Sequence, residues 1–319
     1  DWVIGQGFGT EEDREYIEEN GCMEGAESDL ISDRAIERGQ HQLGTLGSGN
    51  HFLELDYVDR VYDKKAAEVL GLHEGQVVLL MHTGSRGFGY QVCDDYLKIL
   101  SKASSRYGFD LPDRQLVSAP IQSLEGQNYL ASMACSANFA WSNRQVIMDL
   151  ARKVLTRVLR TGASELGFRL VYDVSHNIAK KETQEIDGKT QTLCVHRKGA
   201  TRAFGPGHPE IPARYQSVGQ PVLIPGDMGR YSFVCIGSKK AEADTFGSTC
   251  HGAGRSHSRT KAKKLARGRN LFREMSDLGV VVQARGKGTM AEEMPDAYKD
   301  VSDVVDVMHM SGISTKVAR

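Results

Sequence analysis

The sequence predicts a single domain of the α+β class, and three observations support that prediction. Short apolar segments typical of strands run directly into loops rich in glycine and histidine. A longer segment carries apolar residues at helical spacing. Finally, no linker, charge block or internal repeat divides the 319 residues, a length that fits one large domain or two ordinary ones.

Strands are predicted where short apolar runs meet loops. The segments lie at residues 50–55, 76–81, 168–174 and 222–224. The run at 76–81 leads into His82-Thr83-Gly84, and the run at 168–174 leads into Ser175-His176-Asn177. A continuous apolar run of this length is typical of a buried strand, so we expect polar chemistry at the strand ends.

Helices and one hairpin complete the predicted elements. Thr10 with the acidic residues after it predicts a helix that stops at Asn20-Gly21. Ser142–Arg160 predicts a helix with a capping box at Ser142. An Asp-Gly pair at 187–188 predicts a hairpin within 180–198, and Ser256–Met275 predicts a basic helix. The apolar stripe of the second helix is Val146, Leu150, Val154 and Val158.

Composition excludes several classes of protein. The chain has 40 basic and 41 acidic residues, so it lacks the overall positive field of a purely electrostatic nucleic-acid binder. No run of about 18 apolar residues occurs, so we expect a cytoplasmic protein without a membrane partner. The six cysteines form no CxxC pair, which favours reduced thiols over a disulfide framework or zinc ribbon.

Four histidines are candidate metal ligands because they lie among small polar residues. They are His51, His82, His176 and His251. Neutral imidazole is the commonest metal ligand, and ligands from separate strand ends can converge on one ion. A solvated or hydrogen-bonded side chain is the alternative for each. Strand alternation puts Asn50 and Glu54 on one face and His51 on the other, so a common site requires a bulge or a strand end.

Three glycine-rich loops could bind an anion through backbone N–H groups. They are Gly47-Ser48-Gly49-Asn50, Thr83-Gly84-Ser85-Arg86-Gly87 and His251-Gly252-Ala253-Gly254-Arg255. None matches the P-loop or the dinucleotide fingerprint, and ordinary turns are the alternative. The basic stretch from Arg255 to Arg273 is either a solvated helix face or a track for a polyanion, whose affinity would fall with salt.

Single residues carry two interpretations each. Asp227 and Glu54 could be acid–base groups, or a turn cap and an exposed strand residue. Tyr298 could stack on a base or lie half-buried in a loop. Cys93 and Cys250 lie near His82 and His251 in sequence, although a small buried hydrophobic residue is the commoner role of a lone cysteine.

Five motifs, taken in order, resemble the RtcB family of GTP- and manganese-dependent RNA ligases. The resemblance runs from about the start of the chain to Arg319. The motifs are Gly47-Ser48-Gly49-Asn50-His51-Phe52, His82-Thr83-Gly84-Ser85-Arg86-Gly87, Asn138-Phe139-Ala140-Trp141-Ser142-Asn143-Arg144-Gln145, His196-Arg197-Lys198-Gly199-Ala200-Thr201-Arg202-Ala203 and His251-Gly252-Ala253-Gly254-Arg255.

The resemblance implies a fold and an activity. The fold is one RtcB-like domain over residues 1–319, with stacked mixed β-sheets surrounded by helices and a cleft at strand ends. The activity is the joining of RNA ends that carry a 2′,3′-cyclic phosphate or 3′-phosphate to ends that carry a 5′-hydroxyl, in tRNA splicing or RNA repair. Partners would be RNA and GTP, with two Mn²⁺ ions.

The resemblance also implies roles for individual residues. His251 would attack the α-phosphorus of GTP and carry GMP, which then passes to the RNA 3′-phosphate. The implied metal ligands are His51, His82 and His176. Tyr298 lies where the family stacks a tyrosine on guanine. The implied guanylate contacts are Asn50, His51, Phe52, Leu53, Glu54, His176, Asn177, Pro225, Gly226, Asp227, Met228, Ser232, His251, Gly252, Ala253, Gly254 and Tyr298.

The chain departs from the family pattern in three places. No Asp-x-Gly-Cys-Gly motif precedes Asn50, and no Lys-Gly pair follows Arg319. Asp227 stands where some members have serine or threonine. We therefore expect a chain truncated at both ends. The alternatives are a relative that binds RNA or nucleotide without ligating it, and a metal-dependent phosphoesterase that acts on RNA 3′ ends.

Overall fold

The computed structural model describes residues 1–113, 115–284 and 286–319, with every side chain in them except that of Lys287. Two compact units are present. Unit 1 comprises Asp1–Gly47 and Met81–Asp173, and unit 2 comprises Ser48–Leu80 and Val174–Arg319. Helices are combined with small antiparallel sheets, so the predicted α+β class is confirmed.

Across the described residues the α-helices are numbered α1 to α11. In chain order they are Trp2–Gly5, Asp33–Gly39, Lys64–Leu70, Arg86–Arg106, Leu124–Leu159, Ala163–Leu166, Lys239–Thr245, Arg259–Leu265, Leu271–Asp277, Lys287–Glu292 and Val301–Met310. Short 3-10 helices add single turns. They are Glu11–Tyr16, Glu18–Gly21, Ser28–Leu30, Ala213–Tyr215 and Pro295–Ala297. None of the helices in the described part of the chain is long and apolar enough to cross a membrane.

The strands, β1 to β8, form three small sheets. In chain order they are Phe52–Tyr57, Val77–His82, His176–Ile186, Lys189–Arg202, Pro221–Ile224, Phe233–Gly237, Ser248–Cys250 and Ser314–Ala318. β1 pairs with β2, β4 lies between β3 and β7, and β6 lies between β5 and β8. The two three-stranded sheets are antiparallel throughout. The predicted strands at 50–55, 76–81 and 222–224 are therefore confirmed, with small shifts at their ends.

Unit 1 is built on the long helix α5, whose central turns carry polar side chains. Asn143 accepts a hydrogen bond from the Thr45 backbone N–H (3.1 Å) and donates to the Gly84 carbonyl (3.1 Å). Arg144 donates from Nε to both carboxylate oxygens of Asp173, at 2.7 and 2.9 Å, and from Nη1 to the Thr83 carbonyl. These bonds hold the backbone of the loops at Thr45 and at Thr83–Gly84 against α5.

The prediction that a helix begins at Ser142 was wrong. α5 begins at Leu124, where the Ser123 hydroxyl caps it by accepting from the Gly126 N–H. Val146 is buried as predicted, but Leu150, Val154 and Val158 are between 43% and 67% exposed. The four-residue spacing marks one helix face correctly, yet spacing alone does not say what covers that face.

The helix predicted after Thr10 is instead a pair of 3-10 turns. Thr10 and Asp13 form a reciprocal capping box. The chain then leaves the helical region at Ile17 and resumes at Glu18, with Glu19 and Asn20 in left-handed conformations. The start was thus predicted correctly and the continuous α-helix was not.

The strand predicted at 168–174 was also wrong. Asp173 makes one isolated parallel bridge with Ile17, in which its N–H donates to the Tyr16 carbonyl and its carbonyl accepts from the Glu18 N–H. Because the Asp173 carboxylate is held by Arg144, the segment is fixed by side-chain pairing and forms no ladder. His176 accordingly begins a strand, β3, and does not follow one.

The predicted hairpin is confirmed in its turn and register. β3 and β4 are joined by Asp187 and Gly188, with φ of 51° and 71°, and Ile186 pairs with Lys189 across the turn. Two positive φ values define the type I′ turn, which matches the twist of antiparallel strands and favours Asp-Gly.

The long basic helix predicted at Ser256–Met275 is two short helices. Ser258 caps α8 and Asn270 caps α9, each by accepting a backbone N–H of the first turn. Gly268 lies between them at φ 78°, a left-handed conformation that ends helices and that glycine adopts without strain. The run of basic residues therefore gave no indication that the helix is interrupted at Gly268.

An apolar core supports the β5–β6–β8 sheet of unit 2. Val222, Ile224 and Phe233 from the sheet pack with Val301 and Val305 of α11, and all five are at most 3% exposed. Burial of each such side chain stabilises the fold by roughly 1.5–3 kcal/mol. The six cysteines are free thiols, in agreement with the predicted reduced state.

The β3–β4–β7 sheet instead has a charged cluster on its buried side. Glu182 of β3 accepts from Nη1 and Nη2 of Arg197 at 2.7 and 2.8 Å, and from Nε of Arg202 at 3.0 Å. Arg197 also donates to the Ser248 hydroxyl on β7 at 2.9 Å. The side chains of Glu182, Arg197 and Arg202 are each 1% exposed. This cluster joins all three strands.

We expect Glu182→Gln to lower the free energy of unfolding by about 3–5 kcal/mol, because two buried guanidinium groups lose the charge that compensates them. Urea denaturation measures the change. Glu185→Gln is the matched control, since Glu185 is exposed on the same strand and should change stability by less than about 0.5 kcal/mol. Equal effects for the two variants would contradict the structural role of the cluster.

Candidate functional site

Two predicted site histidines meet in unit 2. The rings of His176 and His251 stack with centroids 4.5 Å apart and planes inclined by 10°. His176 is the first residue of β3, and His251 directly follows β7. The predicted juxtaposition of histidines from separate strand ends is therefore found for this pair.

An irregularity in β4 accompanies this pairing. His176 pairs with Thr201 but Ile178 pairs with Arg197, so β4 has three residues opposite the single residue Asn177. Asn177 adopts a φ of 56°, and its Oδ1 accepts from the Gly199 N–H at 3.0 Å. Bulges of this kind bend a strand and redirect the adjacent side chains.

The glycine of that bulge lies against His251. Gly199 has a φ of 70°, and a Cβ at this position would lie 3.9 Å from His251 Nε2. On the opposite edge of β4, Ala200 pairs with Cys250. The same short segment of β4 therefore lies against His251 through Gly199 and pairs with the residue before His251 through Ala200.

The imidazole of His251 is kept in its neutral form. Burial is the main effect and lowers the pKa of His251. A hydrogen bond to the backbone of His251 raises this pKa, and the positive charge of Lys198 lowers it. Its Nδ1 is buried. A neutral imidazole has an unshared electron pair and can act as a nucleophile or ligand.

The loop after His251 is held on both sides. The Ala253 N–H donates to the Pro225 carbonyl at 3.0 Å, and the Gly254 carbonyl accepts from the Lys299 N–H at 3.0 Å. Gly252 packs against Pro225, and Ala253 is part of the core. The loop is thus fixed between the 225–228 turn and the segment that carries Tyr298.

Tyr298 is held by a guanidinium and a carboxylate. Its hydroxyl donates to Glu293 and accepts from Arg255 Nη1 at 3.1 Å. The same Arg255 nitrogen donates to Glu293 at 2.9 Å, and the guanidinium carbon lies 4.9 Å from the centre of the tyrosine ring. Burial and the bond to Glu293 raise the pKa of Tyr298. Tyr298 is half-buried in its loop and fixed in orientation.

Arg255 is occupied by this arrangement. Its Nε donates to the His257 carbonyl at 3.0 Å, and its Nη2 donates to the Glu292 carbonyl at 2.6 Å. In the loop predicted to bind an anion, this arginine therefore stabilises the backbone and the aromatic ring.

Glu54 joins the site through a serine hydroxyl. Ser232 accepts from the Gly226 N–H at 3.3 Å and is hydrogen-bonded to the Glu54 carboxyl. Burial and the nearby negative charge of Asp56 raise the pKa of Glu54 to about 8. The predicted alternative of an ordinary exposed strand residue does not describe Glu54, which is half-buried and retains a proton near neutral pH.

Asp227 behaves as a turn residue. Its Oδ1 accepts from the Gly229 N–H at 3.0 Å, and its Oδ2 pairs with Arg230. Burial raises the pKa of Asp227 against these bonds. Met228, next in the turn, packs against the apolar cluster around Met290 and Met294, on which Tyr298 also lies.

The remaining predicted contacts lie around the start of β1. The strand begins at Phe52, so Asn50 and His51 precede it, which meets the expected requirement for a strand end. Glu54 is half-buried, whereas Leu53 is 39% exposed on the alternate face. Gly49 approaches Arg259, whose Nη2 would lie 3.9 Å from a Cβ at that position.

His82 lies in unit 1 at the end of β2. The loop after it leads into α4, with Ser85 at the N-cap position. Thr83 Oγ1 donates to the Leu46 carbonyl at 2.6 Å, and Arg86 Nε donates to Thr45 Oγ1 at 3.1 Å. A metal shared by His82 with His51 and His176 stays a prediction.

The described side chains do not form a complete metal site. Among them, no three His, Cys, Asp or Glu residues lie close enough together to hold an ion. Most catalytic zinc centres have at least three protein ligands. Harder cations such as Ca²⁺ are bound by a larger number of oxygen ligands. Two of the predicted ligands, His51 and His176, lie in unit 2.

Sequence patterns did not predict how three residues shape the site. Glu293 holds Tyr298 and Arg255, yet it lies in an Ala-Glu-Glu-Met sequence that is typical of a surface helix. Asn177 and Gly199 form the bulge, and only the presence of glycine inside a strand gave a signal for it. The family motif 196–203 contained Gly199 without indicating its contact with His251.

Comparison with known proteins identifies relatives over the whole chain. The family described as tRNA-splicing ligase RtcB matches residues 1–319. A tRNA-splicing ligase RtcB of Methanocaldococcus jannaschii is 54% identical over 318 residues, which cover 100% of this chain and 33% of that protein. Those of Archaeoglobus fulgidus and Thermococcus kodakarensis are 53% and 52% identical, each with 66% of its own length covered. The chain thus spans between one third and two thirds of these curated relatives.

We expect Gly199→Ala to destabilise the chain by about 1–2 kcal/mol, because an L-residue is strained at a positive φ. Urea denaturation measures the loss. Gly288→Ala is the control, since Gly288 is helical in α10 with open space around it and should gain about 0.5–1 kcal/mol. Stabilisation by both substitutions would contradict the strained bulge.

We expect the stability of the chain to fall as pH rises from 4.5 through about 8 because of Glu54. Its pKa rises on folding from 4.5 to about 8, so the folded state binds the proton more tightly and loses this stabilisation as the proton dissociates. Urea midpoints between pH 5 and 9 measure the slope. Glu54→Gln should flatten the profile, whereas Glu68→Gln, on the exposed side of α3, should leave it unchanged; a slope retained in Glu54→Gln would refute the assignment.

Proposed function

The chain belongs to the RtcB family of tRNA-splicing ligases, and from that membership we propose that it carries the nucleotidyl-transfer site of an RNA ligase. The substrates would be RNA ends with a 2′,3′-cyclic phosphate or 3′-phosphate and RNA ends with a 5′-hydroxyl, from tRNA splicing or RNA repair in the cytoplasm. GTP would supply the energy.

The single observation that carries the proposal is the setting of His251. Its ring is stacked on His176, its loop is held by the Pro225 and Lys299 backbones, and its pKa is lowered by burial. A neutral, oriented imidazole is suited to nucleophilic attack. Because Nδ1 is buried, Nε2 is the nitrogen assigned to the attack.

The proposed reaction has three transfers. His251 Nε2 attacks the α-phosphorus of GTP, an N–P bond forms, and the P–O bond to pyrophosphate breaks. An oxygen of the RNA 3′-phosphate then attacks the same phosphorus and takes GMP from the histidine. Finally the 5′-hydroxyl attacks the activated 3′-phosphate, a phosphodiester forms, and GMP leaves. The phosphoramidate is reactive enough for the second transfer. Such a covalent intermediate divides one difficult step into easier ones.

The guanine would bind near Tyr298. The ring of Tyr298 is fixed by Arg255 and Glu293, so stacking on a base costs little further ordering. The carboxyl of Glu54 and the hydroxyl of Ser232 face each other and supply hydrogen-bonding groups for a base edge. Asn50, Phe52 and the 225–228 turn complete the proposed contacts.

Mn²⁺ belongs to the proposal as the family's metal. His51 and His176 are the proposed ligands in unit 2, and His82 is the proposed ligand in unit 1. Because the donor set of the described residues is incomplete, no step above is assigned to a metal ion.

We expect the chain, incubated with Mn²⁺ and GTP labelled on the α-phosphate, to acquire acid-labile label, and we expect His251→Ala to reduce that label to background. His73→Ala is the matched control, since His73 is an exposed histidine of the same unit and should keep full labelling. Peptide mapping identifies the labelled residue. Label on any other side chain would overturn the assignment of His251.

The same preparation separates the alternatives. An RNA ligase joins a 3′-phosphate RNA to a 5′-hydroxyl RNA only when GTP is present. A phosphoesterase releases inorganic phosphate from the 3′ end without GTP. A non-catalytic relative binds RNA and acquires no label, including in the longer protein with the additional length seen in the curated relatives.

A further inference from the structure

The basic segment after the His251 loop contains two kinds of cation. One kind is paired with carboxylates. Lys263 pairs with Glu292 at 2.5 Å, Arg269 with Glu274 and Asp296, and Arg273 with Asp277 at 4.0 Å. Arg255 is bound to Glu293, and Arg259 lies 3.6 Å from Glu293. These five cations have much of their charge compensated within the protein.

The second kind consists of Lys261, Lys264 and Arg267. All three are exposed, and within residues 1–113, 115–284 and 286–319 none lies within 4.0 Å of a carboxylate. Their charge is therefore available to an external anion. All eight cations lie in one stretch of the sequence, and five of them are paired with carboxylates whereas three are not.

Two of the unpaired cations, Lys261 and Lys264, lie on α8, and Arg267 lies two residues after its last residue, Leu265. Ala262 is fully buried against Leu271 and Met294, which fixes the rotation of the helix. At about 100° per residue, Lys264 points roughly opposite Ala262, and Lys261 lies about 60° from Lys264. Lys263 lies on the other side of the helix from Lys261 and pairs with Glu292. The result is a stripe of positive charge along the outer side of α8, followed by Arg267.

The spacing of this stripe suits a nucleic-acid backbone. Successive members are three residues apart, or about 4.5 Å along the helix axis, and a nucleic-acid strand carries a phosphate about every 3.4 Å along a helix axis. Lysine and arginine side chains are long enough to adjust the remaining difference. Flexible, point-like ammonium groups favour phosphate contacts that do not depend on base sequence.

The stripe starts beside the candidate site. α8 begins at Arg259, whose Nη2 approaches Gly49 of the glycine-rich loop, and the chain reaches α8 directly from the His251 loop through Ser256 and His257. The Ser256 N–H and the His257 N–H both donate to the Ala297 carbonyl, next to Tyr298. The first end of α8 is thereby tied to the site.

We propose that Lys261, Lys264 and Arg267 form a track that binds the phosphodiester backbone of an RNA strand whose end lies at His251. The track rests on the proposed RNA-ligase function. It binds without base readout, and the paired cations Lys263, Arg269 and Arg273 take no part in it.

The test is the salt dependence of RNA binding by the 319-residue chain. Anisotropy of a fluorescent single-stranded RNA with a 3′-phosphate gives the Kd at several KCl concentrations. Each lost phosphate contact lowers the slope of log K against log salt by about 0.7 for a single strand. The triple variant Lys261→Gln, Lys264→Gln, Arg267→Gln should therefore reduce the slope by about 2.

A matched variant controls for net charge. Lys64→Gln, Lys65→Gln and Lys189→Gln remove three exposed lysines of unit 2 on α3 and at the β3–β4 turn, with the same charge change. This variant should keep the slope of the unaltered chain. Thermal unfolding of each protein confirms that both triple variants are folded.

Three outcomes would overturn the track: no RNA binding by the unaltered chain, an unchanged slope in the α8 variant, or an equal reduction in both triple variants. Labelling of the unaltered chain by GTP reports on the proposed function separately. Absence of label with a reduced slope in the α8 variant alone would reject the ligase site and retain the RNA track. Label with an unchanged slope would retain the ligase site and reject the track.

Discussion

The geometry of the site depends on one strand, β4, because it pairs with both strands that carry the histidines. β3 begins with His176 on one edge of β4, and β7 ends next to His251 on the other. In a regular sheet, side chains on strands two positions apart lie well beyond contact, since neighbouring strands are about 4.8 Å apart. The stacked rings are brought together at the sheet's irregular end, where β4 has its extra residues opposite Asn177. The bulge is therefore as important to the site as either histidine.

A sheet with such an irregular end needs strong pairing elsewhere. The buried cluster of Glu182, Arg197 and Arg202 supplies it on the same three strands, with bidentate geometry and a further bond from Arg197 to Ser248. Charged groups in this position are costly to desolvate, so a slipped register would leave them unpaired in the interior. The cluster thus penalises alternative registers, which would otherwise move His176 and His251 apart.

Local sequence signals predicted the elements whose geometry is local. Asp187-Gly188 specifies its own turn, and the apolar run at 222–224 forms a buried strand. Signals failed where long-range side-chain pairing decides the outcome. Lys180, Glu182 and Gln184 face the interior of the sheet although their residue types indicate the surface. Asp173 is held by Arg144 from α5, 29 residues away, so the apolar segment before it forms no strand.

The residues of the candidate site and the residues that support them differ in how visible they are in the sequence. His251 was recognisable as a candidate from a glycine-rich motif, and Glu54 and Tyr298 were recognisable as candidates from the family resemblance. The residues that hold these side chains in place were not recognisable from the sequence. Glu293 is chemically an ordinary surface residue until folding places it beneath Tyr298, and Gly199 is an ordinary glycine until the bulge presses it towards His251.

The stacking of two imidazoles adds a further reason for His251 to be neutral, beside its burial and the charge of Lys198. A catalytic histidine that is paired with a carboxylate has its protonated form stabilised. Here the neighbour of His251 is a second imidazole, with ring centroids 4.5 Å apart. Two positive charges at that distance repel each other by about 4 kcal/mol at an effective dielectric constant of 20. Such repulsion disfavours a pair in which both rings are charged, and burial together with the positive charge of Lys198 lowers the pKa of His251.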